Sequence, residues 1–194
     1  MRLKSTFQLL FIVILTSLFL ACGSSKKALT QAPHPHPKRE FRGAWIHTVG
    51  QSRYQQMNSP AMKHYLADMV RKLDNAGVNA VIFQVRPEAD AGYKSELEPW
   101  SRFLTGQQGK APDDSAFDPL EFIIEECHKR GMELHAWLNP YRVQSNIQSK
   151  LAPNHIYWSN PSRFIRYGNQ LYFDPGLPEN RGFINRVVRD IVLR

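Results

Sequence analysis

The chain has 194 residues and a formal net charge of +8, with its Lys and Arg scattered over a linker, helices and loops. It lacks the Lys/Arg stripe that tracks a phosphate backbone, which sets aside a nucleic-acid partner in favour of anionic polymers or lipid headgroups. Its only cysteines are Cys22 and Cys127, and with Cys22 read as acylated no intramolecular disulfide framework remains.

Arg2 and Lys4 precede an apolar run from Phe7 to Ala21 that only Gln8, Thr16 and Ser17 interrupt. This is the layout of an export signal, and the run is too short to be read as a membrane span. Leu18-Phe19-Leu20-Ala21-Cys22 resembles a bacterial lipobox, with Phe19 where Leu is more usual. Residues 1–21 are therefore read as a lipoprotein signal peptide and Cys22 as the lipidated first residue of the mature protein. Loss of Arg2 and Lys4 leaves a charge of +6. The competing reading is an ordinary secretory signal with an incidental cysteine. The lipoprotein reading implies an exported protein anchored in the membrane through Cys22, on the periplasmic side of an outer membrane.

Residues 22–39 form a flexible linker rich in Ser, Lys and Pro that cannot bury enough apolar surface to fold. Its Pro33-His34-Pro35-His36-Pro37 segment reads as a solvated spacer and not as a metal site.

From residue 40 onward, strand and helix patterns alternate. Phe41 to Val49 reads as the first strand. Ser59 then acts as N-cap with Pro60 at the first helical position, and Met62, Tyr65, Leu66, Met69, Val70 and Leu73 recur at helical spacing until Gly77. Ala80 to Val85 is the second strand. Asp118-Pro119-Leu120-Glu121 has the spacing of a capping box, and the helix it opens ends at Gly131. Cys127 shares the apolar side of that helix with Leu120, Ile123 and Ile124, as a small buried hydrophobe. Glu133 to Leu138 is the third strand, and the third helix, from about Pro178, places Phe183, Ile184, Val187, Val188 and Ile191 on one face.

This order predicts an α/β fold with a parallel sheet and right-handed crossovers. An eight-unit barrel takes about 250 residues, so residues 40–194 are read as about three βα units, the N-terminal part of a (β/α)8 TIM barrel truncated at its C-terminal side. A complete three-unit domain is the competing reading. The long connections after strands two and three both lie at the C-terminal end of the sheet, where such folds place their chemistry.

The segment Glu133 to Arg142 carries the strongest site signal. Leu134, Ala136 and Leu138 share one face of a strand, and His135, Trp137 and Asn139 share the other. Trp137 offers a ring for a sugar and Asn139 an amide for hydroxyls, against the plainer reading of a barrel-filling Trp above a satisfied His135. Gln84 and Arg86 point the same way on strand two, and Arg86 and Asp90 follow it to the rim. There a guanidinium fork and a carboxylate suit sugar oxygens; a rim salt bridge that orders the loop is the alternative. Tyr93, Trp100, Tyr141 and Arg142 are loop residues suited to a glycan cleft or to packing. Trp45 and His47 share a face of strand one. Asp174, before Pro175 and Gly176, reads as a turn residue, and the spacing of Glu88, Glu96 and Glu98 selects none of them as a catalyst.

Four motifs in order carry a family resemblance: Phe41-Arg42-Gly43-Ala44-Trp45; Gln84-Val85-Arg86-Pro87-Glu88-Ala89-Asp90-Ala91; Pro99-Trp100-Ser101 with Leu104-Thr105-Gly106; and His135-Ala136-Trp137-Leu138-Asn139-Pro140-Tyr141-Arg142. Together they resemble the glycosyl hydrolase-like 10 family, exported barrel enzymes some of which act on bacterial cell-wall glycan. The resemblance implies a polysaccharide or peptidoglycan partner, no cofactor, and substrate contacts from Gln84, Arg86, Asp90, Tyr93, Trp100, His135, Trp137, Asn139, Tyr141 and Arg142. It also implies that the cleaving carboxylates lie on a fourth strand ending in Asp-Asp-Tyr and on later strands, outside this sequence. Two carboxyl groups are needed, about 5 Å apart for retention or about 6.5 to 9.5 Å apart for inversion. Two further readings stay open: a metal-dependent deacetylase using His47, Asp90 and His135, and a glycan-binding lipoprotein without catalysis.

Overall fold

In the computed structural model, residues 40–194 are described, and Phe41–Arg194 form one compact unit. The leader and the whole linker, Cys22 included, lie outside the described residues. The frame is a parallel sheet of β1 (Gly43–Ile46), β2 (Ala80–Arg86) and β3 (Glu133–Leu138) in that order. Trp45 is opposite Ile82, and Ile82 opposite His135; Gln84 is opposite Trp137, after which a bulge shifts the register before Arg86. Side chains alternate across a strand, so Trp45, Ile82, Gln84, His135 and Trp137 belong to one face. Val81, Phe83 and Val85 point the other way and are fully buried.

Two helices pack on that second face. α1 (Ser59–Asn75) buries Met62, Leu66 and Val70 at i, i+4 and i+8, the spacing anticipated from the sequence. Its cap differs from the expectation: Asn58, not Ser59, accepts the first turn's bond, from the Ala61 amide at 3.0 Å. Ser59 is instead the first helical residue, and its amide donates to Asp113 Oδ1 at 2.7 Å. A one-turn helix, α2 (Arg102–Thr105), interrupts the long loop after β2, capped by Ser101 and stopped by Gly106 at φ +82°. α3 (Pro119–His128) starts as expected at Asp118, whose carboxylate accepts from the Leu120 and Glu121 amides. Leu120, Ile123 and Cys127 are buried along it, and burial pushes the Cys127 thiol up to about 11. Removing a large side chain from this layer, as in Phe83→Ala, leaves a void costing about 3–5 kcal/mol.

Two expectations about the strands are corrected. The first strand is four residues long and does not reach Val49, because its continuation is captured by a side chain: Gln84 Oε1 accepts from the Thr48 amide at 3.0 Å and the Val49 amide at 3.3 Å. The chain then turns through Gly50 at φ +76°. The connection after β3 is also structured. It holds an antiparallel sheet of β4 (Arg142–Gln144), β5 (Phe164–Tyr167) and β6 (Gln170–Phe173), ordered β4-β6-β5. Its hairpin closes on Gly168-Asn169, with Gly168 at φ +57° and no positive φ at Asn169. Glycine first in a two-residue loop matches the twist of the flanking strands.

α4 (Pro178–Val192) buries Phe183, Ile184, Val187 and Ile191, and Val188, expected on the same face, is exposed. Asp174 is the turn residue expected, its Oδ1 accepting from the Gly176 amide at 2.8 Å.

Candidate functional site

Gln84, Arg86, Trp137 and Asn139 converge where β2 and β3 end. Parallel pairing sets Gln84 beside Trp137. One step further, the Asn139 amide donates to the Arg86 carbonyl at 2.9 Å while Arg86 Nη1 donates to the Asn139 carbonyl at 2.6 Å. The Asn139 side chain is committed at both ends: Nδ2 donates to the Pro87 carbonyl at 2.8 Å, and Oδ1 accepts from Trp137 Nε1 at 3.3 Å. The amide thus fixes the indole by its polar edge. The Trp137 ring meets Trp45 edge to face at 5.0 Å, and Trp45 is 66% exposed. Phe41 and His135 form a second edge-to-face contact at 5.4 Å. The result is a cluster of aromatic side chains on the side of the sheet away from the helices.

Several of the proposed contacts are turned elsewhere. Arg86 is fully buried and its fork faces the loop: Nε and Nη2 each donate to Glu98 at 2.6 Å, and Nη1 reaches the Asn139 and Pro140 carbonyls. Its geometry is therefore the rim salt bridge that orders the long loop. Gln84 is likewise spent on the backbone of Thr48 and Val49. Tyr93 is fully buried with its hydroxyl lacking a well-aligned partner and Arg194 stacked on its ring at 4.6 Å, a packing anchor. Trp100 and Tyr141 are half-buried against the core, and Arg142, half-buried in β4, has an unpartnered Nε. His135 is exposed and its Nε2 sits 2.9 Å from a Glu133 oxygen.

Beneath the rim lies a buried polar network that the sequence did not reveal. Glu88 receives Arg102 on both oxygens, at 2.9 and 3.0 Å, and Ser145 through its amide at 2.7 Å and hydroxyl at 2.6 Å. Burial alone would raise its carboxyl, but these donors outweigh that cost and hold it below its usual value. Asp90 is fully buried; Oδ2 accepts from the Arg102 amide at 3.2 Å and Gln108 Nε2 at 3.3 Å, and Oδ1 has no well-aligned partner. Burial first, and the neighbouring Glu88 charge second, push Asp90 up to about 7. Buried His155 accepts the Tyr157 amide on Nδ1 at 3.0 Å, and burial lowers it to about 4. Arg102, Gln108 and Ser145 carried no local signal, since each meets its partner across a loop.

The deacetylase reading required His47, Asp90 and His135 around one ion. The structure keeps them apart in their interactions: His47 pairs with Gln51, His135 with Glu133, and Asp90 is enclosed by its own donors. Among the described residues no three His, Cys, Asp or Glu side chains are grouped to hold a metal.

The glycosyl hydrolase-like 10 family model matches residues 40–194. Glycosyl hydrolase YngK of Bacillus subtilis (strain 168) is 43% identical over 159 residues, covering 79% of this chain and 31% of that protein. Glycosyl hydrolase DigH of Escherichia coli (strain K12) is 32% identical over 192 residues, 89% of this chain and 42% of its own. The chain thus spans less than half the length of these relatives. A maltogenic alpha-amylase, AmyB from Thermotoga neapolitana, superposes with a TM-score of 0.47 at 13% identity, over 77% of this chain and 35% of its own. With the family model covering the whole described unit, the chain belongs to the glycosyl hydrolase-like 10 family.

Proposed function

We propose that the full protein is a glycoside hydrolase acting on a cell-envelope glycan of the peptidoglycan type or a related polysaccharide, within a barrel whose first three βα units are residues 40–194. The observation that carries this reading is Trp137 near the C-terminal end of β3, held at its indole nitrogen by Asn139 and edge to face with Trp45. A fixed indole suits the apolar face of a sugar ring, and rigid support keeps its orientation without loss of side-chain freedom on binding. The acids at the rim, Glu88, Asp90 and Glu98, are buried in the loop network. The hydrolytic pair is therefore assigned to strands outside residues 40–194, and the role of the present segment is to position the glycan. The same enclosure of the rim acids favours, as a second reading, a glycan-binding protein without cleavage. Acylation at Cys22 would tether the protein at the periplasmic face of an outer membrane, next to such a polymer.

The test is to incubate full-length protein with purified peptidoglycan glycan strands and follow new reducing ends, with binding measured separately. Trp137→Ala is expected to weaken glycan affinity about tenfold while the folded fraction persists. Unchanged affinity in a variant whose melting temperature collapses would reduce Trp137 to barrel packing. Binding without bond cleavage would select the second reading.

A further inference from the structure

Beside the antiparallel sheet opens a second concavity that the aromatic cluster does not use. It has a volume of about 560 Å³, and Lys150, Tyr157, Trp158, Arg166 and Gln144 are among the residues that line it. This is within the range of pockets that take small ligands. Three features point to one kind of occupant.

The first is Trp158. It is 58% exposed, yet its Nε1 donates to the buried Ala152 carbonyl at 2.9 Å. Tyr157 packs edge to face against it at 5.3 Å. The ring is thus held by its polar edge and a neighbour while much of its surface stays in water, an arrangement suited to stacking.

The second is charge. Lys150 and Arg166 both line the pocket and no Asp or Glu does. Neither cation forms an ion pair among the described residues. Arg166 spends Nε on the Gly168 carbonyl at 3.0 Å, a bond that steadies the guanidinium and leaves both terminal nitrogens available. A planar fork and an ammonium lining one pocket match a carboxylate.

The third is support. Arg166 is paired with Leu171 across the β5/β6 ladder, and Gln144 on β4 anchors the opposite wall by donating to the Ser149 carbonyl and hydroxyl. The next residue, Ser145, is the one that donates to Glu88. The pocket thus takes Gln144, Arg166 and Leu171 from strands and Lys150, Tyr157 and Trp158 from the loop between β4 and β5, and through Ser145 it is tied to the buried network at the end of β2.

We propose that this pocket is a second carbohydrate site, selective for a sugar unit that carries a carboxylate: Trp158 stacks on the ring while Lys150 and Arg166 take the acid. It rests on the carbohydrate reading above, but it requires neither cleavage nor the Trp137 face.

The experiment measures binding of trigalacturonate and of neutral chitotriose to full-length protein by calorimetry, in wild type, Lys150→Gln/Arg166→Gln, Trp158→Ala and Trp137→Ala. All four positions sit at open or partly open surface, and circular dichroism checks that each variant is folded. The expected result is tighter binding of trigalacturonate than of chitotriose by wild type. The Lys150/Arg166 double variant and Trp158→Ala should each lose trigalacturonate affinity about tenfold or more, while Trp137→Ala keeps it. Trigalacturonate affinity that the double variant retains, or equal affinity of wild type for both sugars, overturns the proposal. Chitotriose binding that depends on Trp137, with no trigalacturonate binding, overturns this proposal and leaves the first reading standing. Absence of binding by both sugars counts against both.

Discussion

Arg86 and Asn139 hold each other by two opposed hydrogen bonds, amide to carbonyl at 2.9 Å in one direction and guanidinium to carbonyl at 2.6 Å in the other. The pairing extends β2 and β3 past their regular ladder, and it joins the Trp137 support to the loop that Glu98 brings in. Both Arg86 and Glu98 side chains are essentially without solvent exposure. Removing one partner leaves the other charged and buried, a loss of about 3–5 kcal/mol. Arg86→Ala is therefore expected to lower unfolding free energy in urea by that amount. Arg86→Met combined with Glu98→Leu should recover most of it, because the desolvation of both charges disappears together. Equal destabilisation of single and double variants would show that packing, and not the ion pair, is what Arg86 supplies.

Asp90 and His155 give opposite pH dependences in overlapping windows. Asp90 is raised to about 7 from an ordinary 3.8, so the native state holds its proton more tightly than the unfolded chain does. Its contribution is fully present below about 4 and is lost as pH rises toward 7. His155 is lowered to about 4 from 6.5, so the unfolded chain takes up the proton first and stability is lost as pH falls from 6.5 toward 4. In wild type the two slopes offset each other between about pH 4 and 6.5. Asp90→Asn should expose the histidine slope, with stability rising as pH increases, and His155→Gln should expose the aspartate slope, with stability falling. Guanidinium titrations at several pH values read the slopes whatever the absolute cost of each substitution. Parallel profiles for the two variants would contradict the assignment.

What the sequence disclosed was set by local pattern. Alternation of Val81, Phe83 and Val85 located β2, and the parallel register then brought Gln84 and Arg86 to Trp137 and Asn139 without any knowledge of the loops. Asp118 and Gly131 bounded α3 through cap chemistry that acts within a few residues. The hairpin at Phe164–Phe173 is equally local, with Ile165 and Tyr167 alternating before Gly168-Asn169, but Pro153, Pro161 and Pro175 around it give the sequence the pattern of one long connection. The buried network is different in kind. Glu88 meets Ser145 across 57 residues and Gln108 meets the Ala152 amide across 44, so no window of sequence contains both partners. The direction in which Arg86 spends its donors follows from where Glu98 is delivered by the folded loop, which strand alternation does not specify.

Gln84 closes the sheet edge at β1 by accepting two amides on one oxygen. Gln84→Leu, similar in bulk but without the acceptor, leaves the Thr48 and Val49 amides without this partner, an expected loss of about 1–3 kcal/mol. Gln84→Glu keeps an acceptor at the same place and should cost less. Hydrogen exchange distinguishes the causes: the Thr48 and Val49 amides should lose protection in Gln84→Leu while β3 amides keep theirs. Uniform loss across the sheet would instead indicate a packing defect.

Asn139 offers a way to separate the orientation of Trp137 from its presence. Its amide ties the indole Nε1 to the Pro87 carbonyl, so Asn139→Ala removes the tether without removing the ring. The backbone bonds to Arg86 do not use the side chain and remain available, which limits the expected stability loss to about 1 kcal/mol, the value of an ordinary hydrogen bond. If a fixed ring is what a glycan needs, affinity should fall about as far as in Trp137→Ala, and the near-ultraviolet dichroism of the indole should weaken. Affinity equal to wild type together with weakened dichroism would mean that the ring serves ligand binding without needing to be held. An unchanged dichroic signal would mean that the Trp45 contact at 5.0 Å fixes the ring by itself. In that case Trp45→Ala, and not Asn139→Ala, should carry the loss of affinity, because the edge-to-face pair would be the only remaining constraint on the indole.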